Sequence, residues 1–380
     1  MRRLPEELED ALEELRHEGL SRTLSPPEGA DFASNDYLGL SHDPELRRLV
    51  LRRLEDGGPL GAPSSRLLRG HLEEHRRLEE KLAHFKGTEA ALLFSTGYQA
   101  NIGVLTSLVR PGDRVLSDEL NHASIIDGLR LSGARKVVFP HLDVDRLEAE
   151  LASRHPGGRT FIVTESLFSM EGDVAPLDRY AELSRSHGAS LIVDDAHAMG
   201  VYGDERGSGL LEDSGVAGEV DAVVSTFGKA FGLFGAFVGG PRTVVDWLVA
   251  RARSFIFTTA PPPLLLHAVD AALEIATSQP ERRVRVRELA GRLRRGLRAA
   301  GVDVPESGGP IVPLLVGDNR EACGMAAALR ERGFDVRAIR PPSVPPGTAR
   351  LRMSVHFHNT EAEVDGLCRE LAALRAGVEP

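Results

Sequence analysis

The sequence predicts an α/β protein: a large lobe built on a mostly parallel central sheet, followed by a small α+β lobe. Three observations carry this expectation. Short apolar runs alternate with helix-like stretches from about residue 75 to 275. Those runs are continuously apolar, as in strands covered on both faces. At 380 residues the chain also exceeds the usual size of one core, so two unequal lobes are expected.

Taken in order, residues 4 to 18 place Leu4, Leu8, Leu12 and Leu15 among charges, the spacing of a one-sided helix in an N-terminal arm. The expected strands are AALLF (90–94), RVLSD (114–118), KVVFP (136–140), TFIVTE (160–165), SLIVDD (190–195) and AVVSTF (222–227). Pro261, Pro262 and Pro263 then interrupt the chain before a long helical pattern containing ALEIA and VRELAGRLRRGLRAAG, which reads as a connection between lobes. Beyond Gly301 come strand VPLLV, helix MAAALRERG, strands DVRAI and ARLRMSV, and a last helix EVDGLCRELAALRAG. The division expected is an arm over 1–40, a large domain over 41–275 and a small one over 276–380.

Composition narrows the function. Acidic residues outnumber basic ones by 56 to 46, a formal charge of -10 that offers no field for a phosphate backbone, so nucleic acid is not expected as a partner. The two cysteines, Cys323 and Cys368, lack C-x-x-C spacing and imply neither a disulfide framework nor a zinc cluster. The charged N-terminus and the lack of an 18-residue apolar run lead us to expect a cytoplasmic protein with no membrane span.

Ligands of an open parallel sheet bind beyond the carboxyl ends of its strands, so the residues there carry the chemistry. After AALLF comes Ser95-Thr96-Gly97-Tyr98, a small polar turn opening a helix, whose N–H groups suit either a phosphate or an ordinary cap. After SLIV comes Asp194-Asp195-Ala196-His197; a carboxylate there can keep a heterocyclic nitrogen protonated, as an electron-sink cofactor needs, or merely cap a turn. After AVVS comes Thr226-Phe227-Gly228-Lys229-Ala230, a lysine between small residues that can form an imine once it loses its proton. A nucleotide-type phosphate loop is excluded there, because Val223 and Ala230 stand where it needs Gly and Ser or Thr. His71-Leu72-Glu73-Glu74-His75 matches a zinc-protease pattern but sits in a solvated charge run, and no metal is expected.

In this order on successive strand ends, TGY, DDAH and TFGK resemble the α-oxoamine synthases, pyridoxal 5'-phosphate enzymes of the aspartate-aminotransferase-like fold (fold type I). The resemblance runs from Asn35-Asp36-Tyr37-Leu38-Gly39-Leu40 to Arg350-Leu351-Arg352. Residues 338–352 are most similar to the biotin-pathway branch, whose members condense L-alanine with a pimeloyl thioester; glycine with acetyl-CoA is the nearest alternative, and a silent partner subunit or regulator of the same fold another. The resemblance implies Lys229 as the Schiff-base lysine, Asp194 on the pyridine nitrogen, and His197 with Ser169 on the phenolic oxygen. It implies His122 against the ring, and Gly97, Tyr98 and Thr226 on the phosphate, aided by Thr258 or Thr259 from the neighbouring subunit of a homodimer. It further implies Arg352 and Asn35 on the amino-acid carboxylate, with Arg22 and Ser343 along the acyl path.

Overall fold

The structure, a computed structural model, describes residues 3–55, 57–155, 157–306 and 308–376. The chain divides into two compact units: Met1–Ser34 with Met170–Gly172 and Arg285–Pro380, and Asn35–Ser169 with Asp173–Val284.

The second unit holds a seven-stranded sheet of β1 (Ala90–Phe94), β2 (Arg114–Asp118), β3 (Arg135–Phe139), β4 (Thr160–Glu165), β5 (Ser190–Asp194), β6 (Ala222–Thr226) and β7 (Ala236–Gly240). Its order is β1-β7-β6-β5-β4-β2-β3, with β7 alone antiparallel to its neighbours. Alternation sorts the strand side chains onto two cores. Phe161, Val163, Ile192 and Val224 join helices on one face. Ile162, Leu191, Val193 and Val223 join helices on the other.

Strand β7 was not legible in sequence: AFVGG has two glycines in five residues and little β character. It forms because two apolar strands flank it, pairing Phe237 with Leu93 and Ser225. Both sheet edges are protected. Strand β3 carries Arg135 and Lys136 exposed, and on β1 the Leu93 N–H donates to Glu79 Oε1 (2.9 Å).

Because β7 runs against the rest, the other strands all end on one side of the sheet. That edge carries the loops after Phe94, Asp118, Phe139, Glu165, Asp194 and Thr226, so motifs scattered over more than a hundred residues share one rim.

In the first unit, Ile311–Gly317, Arg337–Ile339 and Ala349–Ser354 form an antiparallel sheet with Ala349–Ser354 central. Ala30–Asp31 pairs in parallel with Phe334–Asp335. Leu293, Leu297, Leu329, Leu351 and Leu371 fill this unit's core. The long helical pattern after the prolines is two helices, Pro263–Ser278 and Glu281–Ala299, because Pro280 cannot continue the first. The N-terminal helix Leu4–His17 buries no residue, and Leu4, Leu8, Leu12 and Leu15 are exposed.

Candidate active site

Asp194 closes β5 with its side chain buried. Two donors hold the carboxylate: Asn101 Nδ2 reaches Oδ2 at 2.6 Å, and the Ala196 N–H reaches Oδ1 at 3.0 Å. The acid beside it on the other pleat face, Asp195, is fully buried in an ion pair with Lys86 and also takes Ser166 Oγ. The adjacent carboxylates thus serve different purposes. Asp195 fastens the turn, and Asp194 faces the rim.

His122 caps the helix α2 (Ala123–Ser132), its Nδ1 accepting from the Ser124 N–H (3.2 Å) and lying 2.7 Å from Ser124 Oγ. Burial holds its imidazole below the ordinary value; the Asp194 charge opposes this and the Lys229 charge reinforces it. These influences place Asp194, His122 and Lys229 in one cluster. The residue nevertheless keeps solvent access, so protein atoms crowd the ring without covering it. Lys229 is half-buried in the turn after β6, which closes through Gly232 N–H to Lys229 O (2.8 Å).

Thr96 caps helix α1 (Gly97–Leu108) by accepting from the Gln99 N–H at 3.1 Å. The Gly97 and Tyr98 N–H groups, first in the helix, have no partner within it. A Cβ built on Gly97 would lie 3.7 Å from Thr226 Cβ, so the two phosphate candidates adjoin. Thr226 Oγ1 donates to Gly235 O (2.9 Å) and accepts from Gly228 N–H (3.2 Å), which fixes the lysine turn. The Tyr98 ring is exposed, and its hydroxyl donates to Asp127.

His197 is buried, with Nδ1 2.8 Å from Tyr37 Oη; Tyr37 also reaches Asn35 Oδ1 at 3.1 Å. Ser169 is buried in the loop after β4. That loop is closed by Phe168 N–H to Asp173 O (3.0 Å), and His141 clamps Asp173 to Asp118, with ring nitrogens 2.9 Å from each carboxylate. Burial alone would depress the His141 pKa, but the two acids outweigh it and push it up to about 10.

Thr258 and Thr259 follow the helix Arg253–Ile256; Thr258 is half-buried and Thr259 exposed. Among the described residues, no hydrogen bond joins them to the Asp194 cluster. The other candidates lie in the first unit. Arg352 is buried on Ala349–Ser354 and donates to Ser354 Oγ at 2.9 Å. Arg22 Nη2 donates to Pro341 O at 3.4 Å, beside exposed Ser343.

His71 and His75 are both otherwise engaged. Arg66 donates to His71 Nδ1, whereas His75 Nε2 meets Pro261 O (3.0 Å) and its Nδ1 takes the Leu72 N–H. Burial takes His75 down to about 4.

Asn101, Ser124, Tyr37 and His141 were not singled out from sequence. Tyr37 lay within the quoted segment Asn35-Asp36-Tyr37-Leu38-Gly39-Leu40, and Ser124 stands two residues after His122. Asn101, one helical turn beyond Gly97, had a spacing signal only.

The residues present fit pyridoxal phosphate. A carboxyl group, an amine, an accessible imidazole and a helix N-terminus beside a threonine meet its ring nitrogen, aldehyde, ring face and phosphate in kind.

Comparison with known proteins agrees. Residues 27–371 match the family described as aminotransferase class I and II. The chain is 49% identical over 342 residues to the 8-amino-7-oxononanoate synthase of Alkalilimnicola ehrlichii, covering 90% of this chain and 86% of that one. It superposes on serine palmitoyltransferase from S. paucimobilis with bound PLP and myriocin at a TM-score of 0.90, 30% identity and 99% coverage of each chain. It also matches 8-amino-7-oxononanoate synthase from Francisella tularensis at a TM-score of 0.78 and 28% identity, covering 92% of this chain and 98% of that one.

Proposed function

The chain belongs to the class I and II aminotransferase family, and from that premise we propose that it joins L-alanine to a pimeloyl thioester with loss of carbon dioxide, giving 8-amino-7-oxononanoate for biotin synthesis. The observation that carries the reading is the cluster of Asp194, His122 and Lys229 on the carboxyl rim of the sheet. Pyridoxal phosphate, when bound, supplies the electron sink for the pair released at the alanine Cα.

The protein's own residues do the rest. Lys229 would hold the cofactor through Nζ, and its amine would take the alanine Cα proton. Asp194, held in place by Asn101 and the Ala196 N–H, would pair with the ring nitrogen. His122 orients the ring, His197 and Ser169 hydrogen-bond the phenolic oxygen, and Gly97, Tyr98 and Thr226 hold the phosphate. Arg352, with Asn35, takes the alanine carboxylate, a task for which a guanidinium fork suits better than an ammonium. Arg22 and Ser343 line the acyl path. A carbon–carbon bond forms at the thioester carbonyl as the thiol leaves, the carboxylate departs as carbon dioxide, and a proton takes its place on the same carbon.

We read the enzyme as a cytoplasmic homodimer in which Thr258 and Thr259 of one protomer serve the phosphate of its partner. Among the described residues, no helix is long and apolar enough to cross a membrane.

The test is borohydride reduction of the protein loaded with pyridoxal phosphate, followed by peptide mapping. The label belongs on Lys229, and a label elsewhere overturns the assignment. Steady-state rates with alanine against glycine, and with pimeloyl against acetyl thioesters, check the substrate. Preference for glycine and acetyl-CoA would move the protein to another member of the group. Light scattering checks the dimer.

A further inference from the structure

We propose that Asn101 is a positioning residue of the active site, one side-chain amide that fixes both the orientation of Asp194 and the tautomer of His122. The inference rests on the reading above for what those two residues do.

Asn101 is buried on the second turn of α1 and spends both amide hydrogens on site side chains. One goes to Asp194 Oδ2 at 2.6 Å and the other to Ser124 Oγ at 2.9 Å. An ionised carboxylate only accepts, so the amide NH2 must face it. Ser124 Oγ, accepting from Asn101, has its own hydrogen left for His122 Nδ1, 2.7 Å away. His122 Nδ1 also accepts the Ser124 N–H at 3.2 Å. With two donors on Nδ1, the neutral imidazole carries its proton on Nε2.

The chain Asp194–Asn101–Ser124–His122 therefore links the acid that governs the cofactor's nitrogen to the ring that lies against it. Removing the amide has two consequences. Asp194 loses the donor that holds its Oδ2, and Ser124 becomes free to rotate away from His122.

Asn101→Leu keeps the size and removes both donors. In the cofactor-free variant, 15N NMR of histidine should show His122 leaving the single Nε2–H state that the wild-type protein holds. In the loaded variant, pyridoxal phosphate should bind about tenfold more weakly, and the pH midpoint of its absorbance change should move by about one unit. A purely structural asparagine would alter thermal stability and leave the tautomer and the midpoint in place; that outcome overturns the proposal. Should Asn101→Leu fail to fold, Asn101→Asp sets a second acid against Asp194. Its cofactor affinity should fall more at pH 8 than at pH 5, and an affinity equal to wild type at both overturns the proposal equally. If borohydride labels a residue other than Lys229 in the wild-type enzyme, the functional reading fails. The tautomer measurement on cofactor-free protein still judges Asn101.

Discussion

His141 offers a stability change whose dependence on pH can be worked from the structure. Its imidazole bridges Asp118, at the end of β2, and Asp173, in the return arm of the loop that carries Ser169, and its edge meets the Phe168 ring at 4.4 Å. The folded-state pKa, about 10, lies above the imidazole's ordinary value of 6.5. A raised value means that the folded state holds a proton the unfolded chain has released. The stabilisation is complete below pH 6.5, falls by about 1.36 kcal/mol per pH unit above it, and is gone past pH 10. A shift from 6.5 to about 10 sets a ceiling of about 5 kcal/mol; solvent access to Asp173, 34% exposed, brings the expectation to about 2–3 kcal/mol.

The perturbation is His141→Gln, neutral at every pH. Urea unfolding of the full chain followed by the fluorescence of its one tryptophan, Trp247, reads the unit that contains the clamp. The variant should be less stable by about 2–3 kcal/mol at pH 6 and nearly equal to wild type by pH 10. A gap that stays constant over that range would refute a charged His141.

Further consequences follow from the buried groups. Lys86→Met strands Asp195 in the core and should cost about 3–5 kcal/mol, whereas the double change with Asp195→Leu should recover much of it; calorimetry of the three proteins decides. Gly209→Ala should be as damaging, since its φ is +118° and a Cβ there would fall 1.9 Å from Asp195 Oδ2; thermal unfolding and cofactor titration report it. Arg352→Lys should raise KM for alanine about tenfold or more and change kcat less, as measured by steady-state kinetics; an unchanged KM removes Arg352 from carboxylate recognition.

The sequence by itself determined the alternation of strands and helices, because strands covered on both faces must be apolar throughout and announce themselves as runs. It also determined the motifs at the ends of those runs, since small residues, an acid and a lysine at the mouth of a buried strand have few structural uses. Tertiary structure alone decided how they are joined. Strand β7 forms only because two apolar neighbours supply hydrogen-bond partners for AFVGG, and its reversal puts the other strand ends on one rim. The roles of Asn101 and His141 could not be read locally, because their meaning lies in partners 93 and 32 residues away, Asp194 and Asp173. A chain's composition records which groups it can bury, whereas the pairing of a buried donor with a distant acceptor is fixed only when the sheet closes around both.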